Sequence, residues 1–340
     1  MGNIIVQSIT EKNEWEKCMS LYPESNFLHS WYWGVFHESL GHDVRRVGFY
    51  EHNKLIGSML SIVEKAKRGT YLTVPAGPLI NWDDKDTVNS FVQTIIEQAR
   101  ESTAVFVRVR PQLINNEISQ RLFKQYKFIK APMHLHAEHT LQLDITSSEK
   151  ELLSHMRKST RYEIKKAIKQ GVRITTSREE KLVEELYSAQ IFTAKHQRFT
   201  PFSYEYLSKQ FSAFSEENHA LIYKAEINKI PLAYAFIIFY GKEAVYHYGA
   251  TTQEGKKYGG AYLIQWRAIQ EAQSRGMKWY NFWGVSPDIP SHRFYNLSVF
   301  KRGFGGKEIE YLPAHDYVIH YPSYAVNYAI EFIRKKLRNL

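Results

Sequence analysis

The chain of 340 residues has one cysteine, Cys18, which excludes an intrachain disulfide framework and fits a reducing compartment. It has no apolar run long enough for a membrane span. Stretches such as PLAYAFIIFY (231–240) stop well short, so no transmembrane segment is expected. The N-terminus, MGNIIVQSITEKNEWEKC, lacks a charged region followed by an apolar core. No secretory signal is therefore expected, and the cytoplasm is the expected location. There is no Gly-x-Ser-x-Gly elbow and no Cys/His pairing suited to a covalent intermediate. In HLHAEH, read as a strand, His134 and His136 share a face while His139 points the other way, so no metal is expected there. Acidic residues are also short, 35 against 45 Lys and Arg, and the net charge of +10 favours polyanionic partners.

What is present is a chain longer than the usual single core, with 44% hydrophobic and 14% aromatic residues, so two folded domains are expected. No low-complexity tract or Pro/Gly linker divides them, but comparison of the chain with itself does. RVGFYEHNKLIGSMLSI (46–62) reads as strand, turn, strand, with the turn at Asn53-Lys54. LIYKAEINKIPLAYAFIIF (221–239) has the same form, turning at Asn228-Lys229, 175 residues on. A strand follows in each, GTYLTVPAGPLI and EAVYHYGATTQ. Helices of 3.6 period come next, with Glu97 and Glu271 174 apart. The strands TAVFVRVRP and MKWYNFWGV follow, and then Phe123-Lys124 and Phe300-Lys301, 177 apart. The chain reads as two copies of one α/β unit.

This order of elements resembles the GNAT N-acyltransferase unit, whose later part closes with an aromatic-x-x-x-Gly-Phe pattern, present here as Phe300 to Phe304 with Gly303. The first copy, FKQYKF, has Tyr126 and Lys127 near that glycine position and is expected to be degenerate. Tandem units of this kind resemble the Fem-type (FemABX) peptidoglycan bridge aminoacyltransferases along nearly the whole chain. The segments that carry the likeness are SNFLHSWYWGVFHESLGHDVRRVGFYEHNKLIG, VPAGPLI, TLQLDITSSEKELLSHMRKSTRYEIKKAIKQGVRI and VFKRGFGG.

The resemblance implies an α/β fold class of two tandem GNAT-like acyltransferase domains, each a mixed central sheet flanked by helices. The acceptor-side domain is expected over 1–141 plus 312–340, with the C-terminal helix packing back, and the catalytic donor-side domain over 142–311. The short span between Ser203 and Ile222 leaves no room for a helical-hairpin arm. By resemblance, Lys301 is the catalytic cation and Phe300 packs on the aminoacyl-adenosine end. Tyr206, Tyr246 and Tyr248 match substrate-cleft positions; Arg198 lies nearest a phosphate-gripping arginine, and His37 stands where a phosphate-gripping lysine falls. Tyr246 and Tyr248 are expected on one face of a central strand, with His247 opposite.

EKELLSHMRKSTRYEIKKAIKQGVRI is expected to form one helix from about Ser148 to Gln170, capped by a serine and ended by Gly171. Leu153, Met156, Ile164, Ala167 and Ile168 supply an apolar face. Like charges at helical spacing, including Arg157, Lys158, Arg161 and Lys165, repel unless an anion offsets them, which points to a phosphate-bearing partner. Lys256 opens KKYGGA, where the GNAT unit holds an acyl-CoA pyrophosphate on backbone amides. The expected activity is transfer of an amino acid from aminoacyl-tRNA, the co-substrate in place of a cofactor, to the side-chain amine of a peptidoglycan precursor's stem peptide. A CoA-dependent N-acyltransferase and a non-catalytic RNA-binding protein are the alternatives. The C-terminal stripe of Tyr324, Ala325, Tyr328, Ala329, Phe332, Ile333 and Leu337, ending in Arg334, Lys335, Lys336 and Arg338, is expected to pack on the first domain; transient contact with the inner membrane surface is the further expectation.

Overall fold

The structure, a computed structural model, describes residues 4–197 and 201–338. The chain divides into two compact units, Met1–Glu138 with Glu310–Leu340, and His139–Ile309.

The first unit opens with β1 (Ile5–Ser8), α1 (Lys12–Ser20) and α2 (Trp31–Ser39). It continues through β2 (Asp43–Glu51), β3 (Lys54–Ala66), β4 (Gly69–Pro75), α3 (Lys85–Glu101), β5 (Ala104–Arg110), α4 (Glu117–Gln125) and β6 (Ile129–Lys130). The second unit comprises β7 (His139–Asp144), α5 (Glu149–His155), α6 (Lys158–Lys169), β8 (Arg173–Ser177), α7 (Glu180–Gln197), α8 (Tyr204–Ser215), β9 (Ala220–Ile227), β10 (Ile230–Tyr240), β11 (Glu243–Thr251), α9 (Gly255–Tyr258), α10 (Gly260–Ser274), β12 (Trp279–Gly284), α11 (Tyr295–Arg302) and β13 (Lys307–Glu310). The chain then returns to the first unit as β14 (His315–Val318) and α12 (Tyr321–Arg338). No helix among the described residues is long and apolar enough to cross a membrane.

Among the described residues each unit has one mixed sheet of seven strands, and the two orders correspond: β1-β2-β3-β4-β5-β14-β6 and β8-β9-β10-β11-β12-β7-β13. Each contains one antiparallel intruder between its fifth strand and its last. In the second unit it is β7, which precedes the unit's other elements; in the first it is β14, which arrives after the whole second unit. The second unit begins at His139 because β7 starts there and pairs with β12.

The hairpin turns are His52-Asn53 and Asn228-Lys229, each with φ positive at both residues (48° and 61°, 48° and 66°). This is the primed turn that matches strand twist. The first turn therefore lies one residue earlier than Asn53-Lys54. Helices α3 and α10 bury apolar stripes, Val88, Phe91, Ile95 and Ala99 in one and Leu263, Ile264, Ala268 and Ala272 in the other. That burial against a sheet is what holds them, at about 25 cal/mol per Å² of apolar area removed from water.

Three expectations change. The segment 148–170 is two helices, because Met156 and Arg157 adopt extended backbone (ψ 152° and 143°). Met156 is buried in the core and the Arg157 amide donates to Gly303 O at 2.8 Å, so tertiary contacts override local helix propensity. Ile168, expected on the apolar face, is exposed, while Leu152 is buried. HLHAEH is loop up to His139, whose Nε2 pairs with Glu308 at 2.8 Å. Finally, α12 packs on the first unit through Tyr324, the first residue of its stripe, which is buried against Phe106, and through polar residues, while most of the stripe stays out of the packing. Tyr324 OH donates to Asp316 (2.9 Å), Asn327 accepts from Arg68 (3.0 Å), and Arg108 donates to Glu331 (2.8 Å). Tyr328, Phe332, Ile333 and Leu337 remain exposed.

Candidate active site

Strands β11 and β12 run parallel, but their ladder holds only from Glu243↔Trp279 to Val245↔Asn281. The corresponding pair in the first unit, β4 and β5, stays paired out to Pro75↔Arg110. Two local features accompany the opening. On β11 the register against β10 shifts, with Ile237 facing Tyr246 and Phe236 facing Tyr248, so His247 is an extra residue that bends the strand. On β12, Asn281 Oδ1 accepts from the Trp283 amide at 2.8 Å and Trp283 takes a φ of 64°, uncommon for a bulky side chain. Asn281 is itself held, donating to Glu243 Oε1 at 3.0 Å, an oxygen that also accepts from Gln142 at 2.6 Å.

Beyond this kink the Gly284 carbonyl accepts from Lys301 Nζ at 2.7 Å. Lys301 lies on the buried side of α11 and is only 5% exposed. Its Nζ is 5.7 Å from the Tyr246 ring centre. Among the described residues no carboxylate pairs with it, and burial brings its pKa down to about 7. A Cβ at Gly249 would collide with the Tyr246 hydroxyl, so the glycine is what lets that ring lie where it does. Phe300, half-buried, meets Tyr262 edge-on at 4.8 Å and Phe304 at 5.4 Å.

The bulge overturns the shared face expected of the two tyrosines. Tyr246 packs toward the main core of the unit beside Lys301, whereas Tyr248 lies against Phe236 and Phe202 on the other face. His247 sides with Tyr248, ring centres 4.0 Å apart, and also meets Trp283. Tyr206 stacks on Phe202 at 4.5 Å, and Gln210 reaches His247 Nε2 at 3.0 Å. Burial raises Tyr246 to about 12, holds Tyr248 well above its usual value, and lowers His247 to about 3. At neutral pH these side chains are uncharged, so among them Lys301, protonated in part at that pH, supplies the positive charge.

The FemAB family's sequence pattern matches residues 10–229 and 205–331. The chain belongs to the FemAB family. Aminoacyltransferase FemA of Staphylococcus epidermidis is 30% identical over 134 residues, 38% of this chain and 32% of that protein. Aminoacyltransferase FemA of Staphylococcus aureus is 29% identical over 111 residues, 32% of this chain and 26% of the relative. The match thus spans about a third or less of the length of these FemAB relatives. A crystal structure of FemX superposes with a TM-score of 0.85 over 95% of this chain and 99% of that one, at 16% identity. A tandem GNAT protein from the clavulanic acid biosynthesis pathway superposes at 0.57 over 93% and 97%, at 9% identity. The fold of this FemAB chain is accordingly a tandem of GNAT-like units.

The remaining expected site residues of this FemAB member are dispersed. Arg157, Lys158 and Lys165 are exposed around α6, and Lys256 is exposed on α9, which packs against α6. Arg161 is spent locally: its Nη1 donates to the Ser154 carbonyl at 2.9 Å and to Leu153 and Met156, capping α5. The Gly259 turn at the start of α10 is met by Glu163, whose Oε2 would lie 2.9 Å from a Cβ there. His37 lies in the first unit, buried against Trp33 and Phe36, and burial lowers it to about 3, so it supplies no positive charge. Arg198 lies outside the described residues. Sequence reasoning missed Asn281, Trp283 and Gln210. Only the first carried a signal, since an Asn two residues ahead of Trp-Gly is an Asx-turn pattern.

Proposed function

We propose that the second unit transfers an amino acid from aminoacyl-tRNA to the side-chain amine of the diamino acid in a peptidoglycan stem peptide, on a lipid-linked or UDP-linked precursor. The observation that carries this reading is Lys301: a buried lysine with no carboxylate partner among the described residues, at a parallel strand pair that has come apart, in a FemAB chain. In the reaction the acceptor amine attacks the ester carbonyl. A C–N bond forms and the C–O bond to the ribose breaks; the amine loses one proton and the ribose oxygen gains one. Protonated Lys301 stabilises the oxyanion, and with a pKa of about 7 it can return a proton to the ribose oxygen. The parting of β11 and β12 beyond Val245↔Asn281 is assigned to holding and aligning the two substrates.

The exposed cations Arg157, Lys158, Lys165 and Lys256 are assigned to the tRNA phosphates. A CoA donor is disfavoured by Glu163, which places a carboxylate at the helix start where a pyrophosphate would need amides. The exposed stripe of α12 and its terminal cations are assigned to peripheral contact with the inner membrane face, with the protein otherwise cytoplasmic; co-sedimentation with anionic liposomes, lost on removal of 323–340, is its test. For the reaction, purified protein, labelled aminoacyl-tRNA and a defined stem peptide should give a mass shift of one aminoacyl residue, abolished in Lys301→Ala. Transfer from acyl-CoA instead would refute the donor assignment, and RNA binding without transfer from either donor would refute the enzyme.

A further inference from the structure

In the first unit, His37, His42 and Glu64 bring one potential ligand atom each to within 4.8 Å of one another. We propose that these three side chains bind a single divalent transition-metal ion of the zinc class, through two imidazoles and one carboxylate. Neither the FemAB assignment nor the chemistry at Lys301 requires this site.

The cluster follows from how α2 ends. Gly41 adopts φ 83°, its amide donating to Glu38 O (2.9 Å), and the His42 amide donates to His37 O (3.1 Å). This six-to-one closure brings the third residue from the helix end against the second residue beyond it, a contact usually filled by two apolar side chains. Here both are histidines, with rings 5.2 Å apart and nearly perpendicular at 88°. His42 immediately precedes β2, and because Asp43 faces Val63 on β3, His42 arrives alongside Glu64. Its Nδ1 lies 3.2 Å from Glu64 Oε2.

His37 supplies the second, independent observation. It is 8% exposed, walled by Trp33 and Phe36, and its Nδ1 is buried with no hydrogen-bond partner among the described residues. A buried nitrogen left unsatisfied is costly, and a metal ion would satisfy the group. Imidazole with carboxylate and no thiolate suits zinc and its divalent neighbours rather than calcium, magnesium or Cu(I). Ligand distances of about 2.0–2.2 Å require the three groups to close in slightly by side-chain rotation. The part-exposed side chains of His42 and Glu64, 26% and 23%, leave a way in and a fourth position for water.

The test uses the full chain, stripped of metal and titrated with Zn2+ by calorimetry, and with Co2+ for the visible absorption of a four-coordinate site. One equivalent should bind. Affinity should fall about 100-fold or more in His42→Ala and in Glu64→Gln, both at part-exposed positions where circular dichroism can verify folding. Zn2+ should raise the melting temperature of the wild type by about 5 °C and leave both variants unmoved. Zinc uptake no greater than in the doubly substituted chain, or an affinity unchanged in both single variants, would reduce the cluster to a His42–Glu64 ion pair and overturn the proposal.

Discussion

Lys301 on α11 and Tyr246 on β11 stand on either side of the point where β12 leaves β11, with the ammonium nitrogen 5.7 Å from the ring centre. The same dipeptide in the first unit is turned round: Phe123 is buried and Lys124 is exposed, while β4 and β5 remain paired to their ends. One unit has thus placed a lysine inside an opened sheet, and the other has closed the sheet and put the lysine outside.

Burying Lys301 should cost stability. Its pKa is about 7 in the folded protein against about 10.4 unfolded, so between these values the unfolded chain holds the extra proton and stability rises with pH. The penalty is full below pH 7 and is gone above about 10.4. Lys301→Met should therefore be more stable than wild type at pH 6, by on the order of a few kcal/mol, with the gap narrowing as pH rises. Urea denaturation at several pH values measures it, and a gap that does not depend on pH would count against a buried cation.

Gly249→Ala places a methyl group where the Tyr246 hydroxyl lies. The ring must leave Lys301, and transfer should fall about tenfold or more with aminoacyl-tRNA binding little changed. Tyr246→Phe, which keeps the ring, should lose far less. Steady-state kinetics on both variants separates a positioning role from a hydroxyl role.

The basic helices divide into binding and structural cations. Arg157→Ala, Lys158→Ala and Lys165→Ala together should raise KM for aminoacyl-tRNA, leave kcat near wild type, and flatten the salt dependence of binding by roughly two units of slope. Arg161→Ala should instead lower stability by about 1–2 kcal/mol, because the α5 carbonyls lose their donor. If Arg161→Ala altered only RNA affinity, the capping assignment would be wrong.

Asp316, fully buried on β14, accepts from Arg108 at 2.8 and 2.9 Å and from Tyr324 OH at 2.9 Å. Asp316→Ala leaves the Arg108 guanidinium with only Glu331 and should destabilise the first unit by about 3–5 kcal/mol. Limited proteolysis should then cut within α12, which Tyr324 and Glu331 tie to that network. Protection equal to wild type would show that α12 docks by other means.

The duplication was legible in the sequence because its carriers are local: two hairpin turns, two helical stripes and two aromatic-lysine pairs at near-constant spacing. The resemblance singled out Lys301. Tyr246 and Tyr248 were found as residues but placed on a common face, because strict alternation holds only while the ladder is regular, and the bulge at His247 is set by pairing with β10. The break at Met156-Arg157 followed the same rule, since a buried side chain and an amide bonded to Gly303 outweighed a continuous helical pattern. His37 and His42 stood five residues apart in plain view, but Glu64 joins them only through the register of β2 on β3. By itself the sequence determined most of the elements and their repetition, because turns, caps and periodicity act over a few residues, whereas Lys301 stood out only through the family resemblance. The tertiary structure alone decided that this lysine is buried, that β11 and β12 part, and that β14 completes the first sheet, because each depends on pairing between segments far apart in the chain.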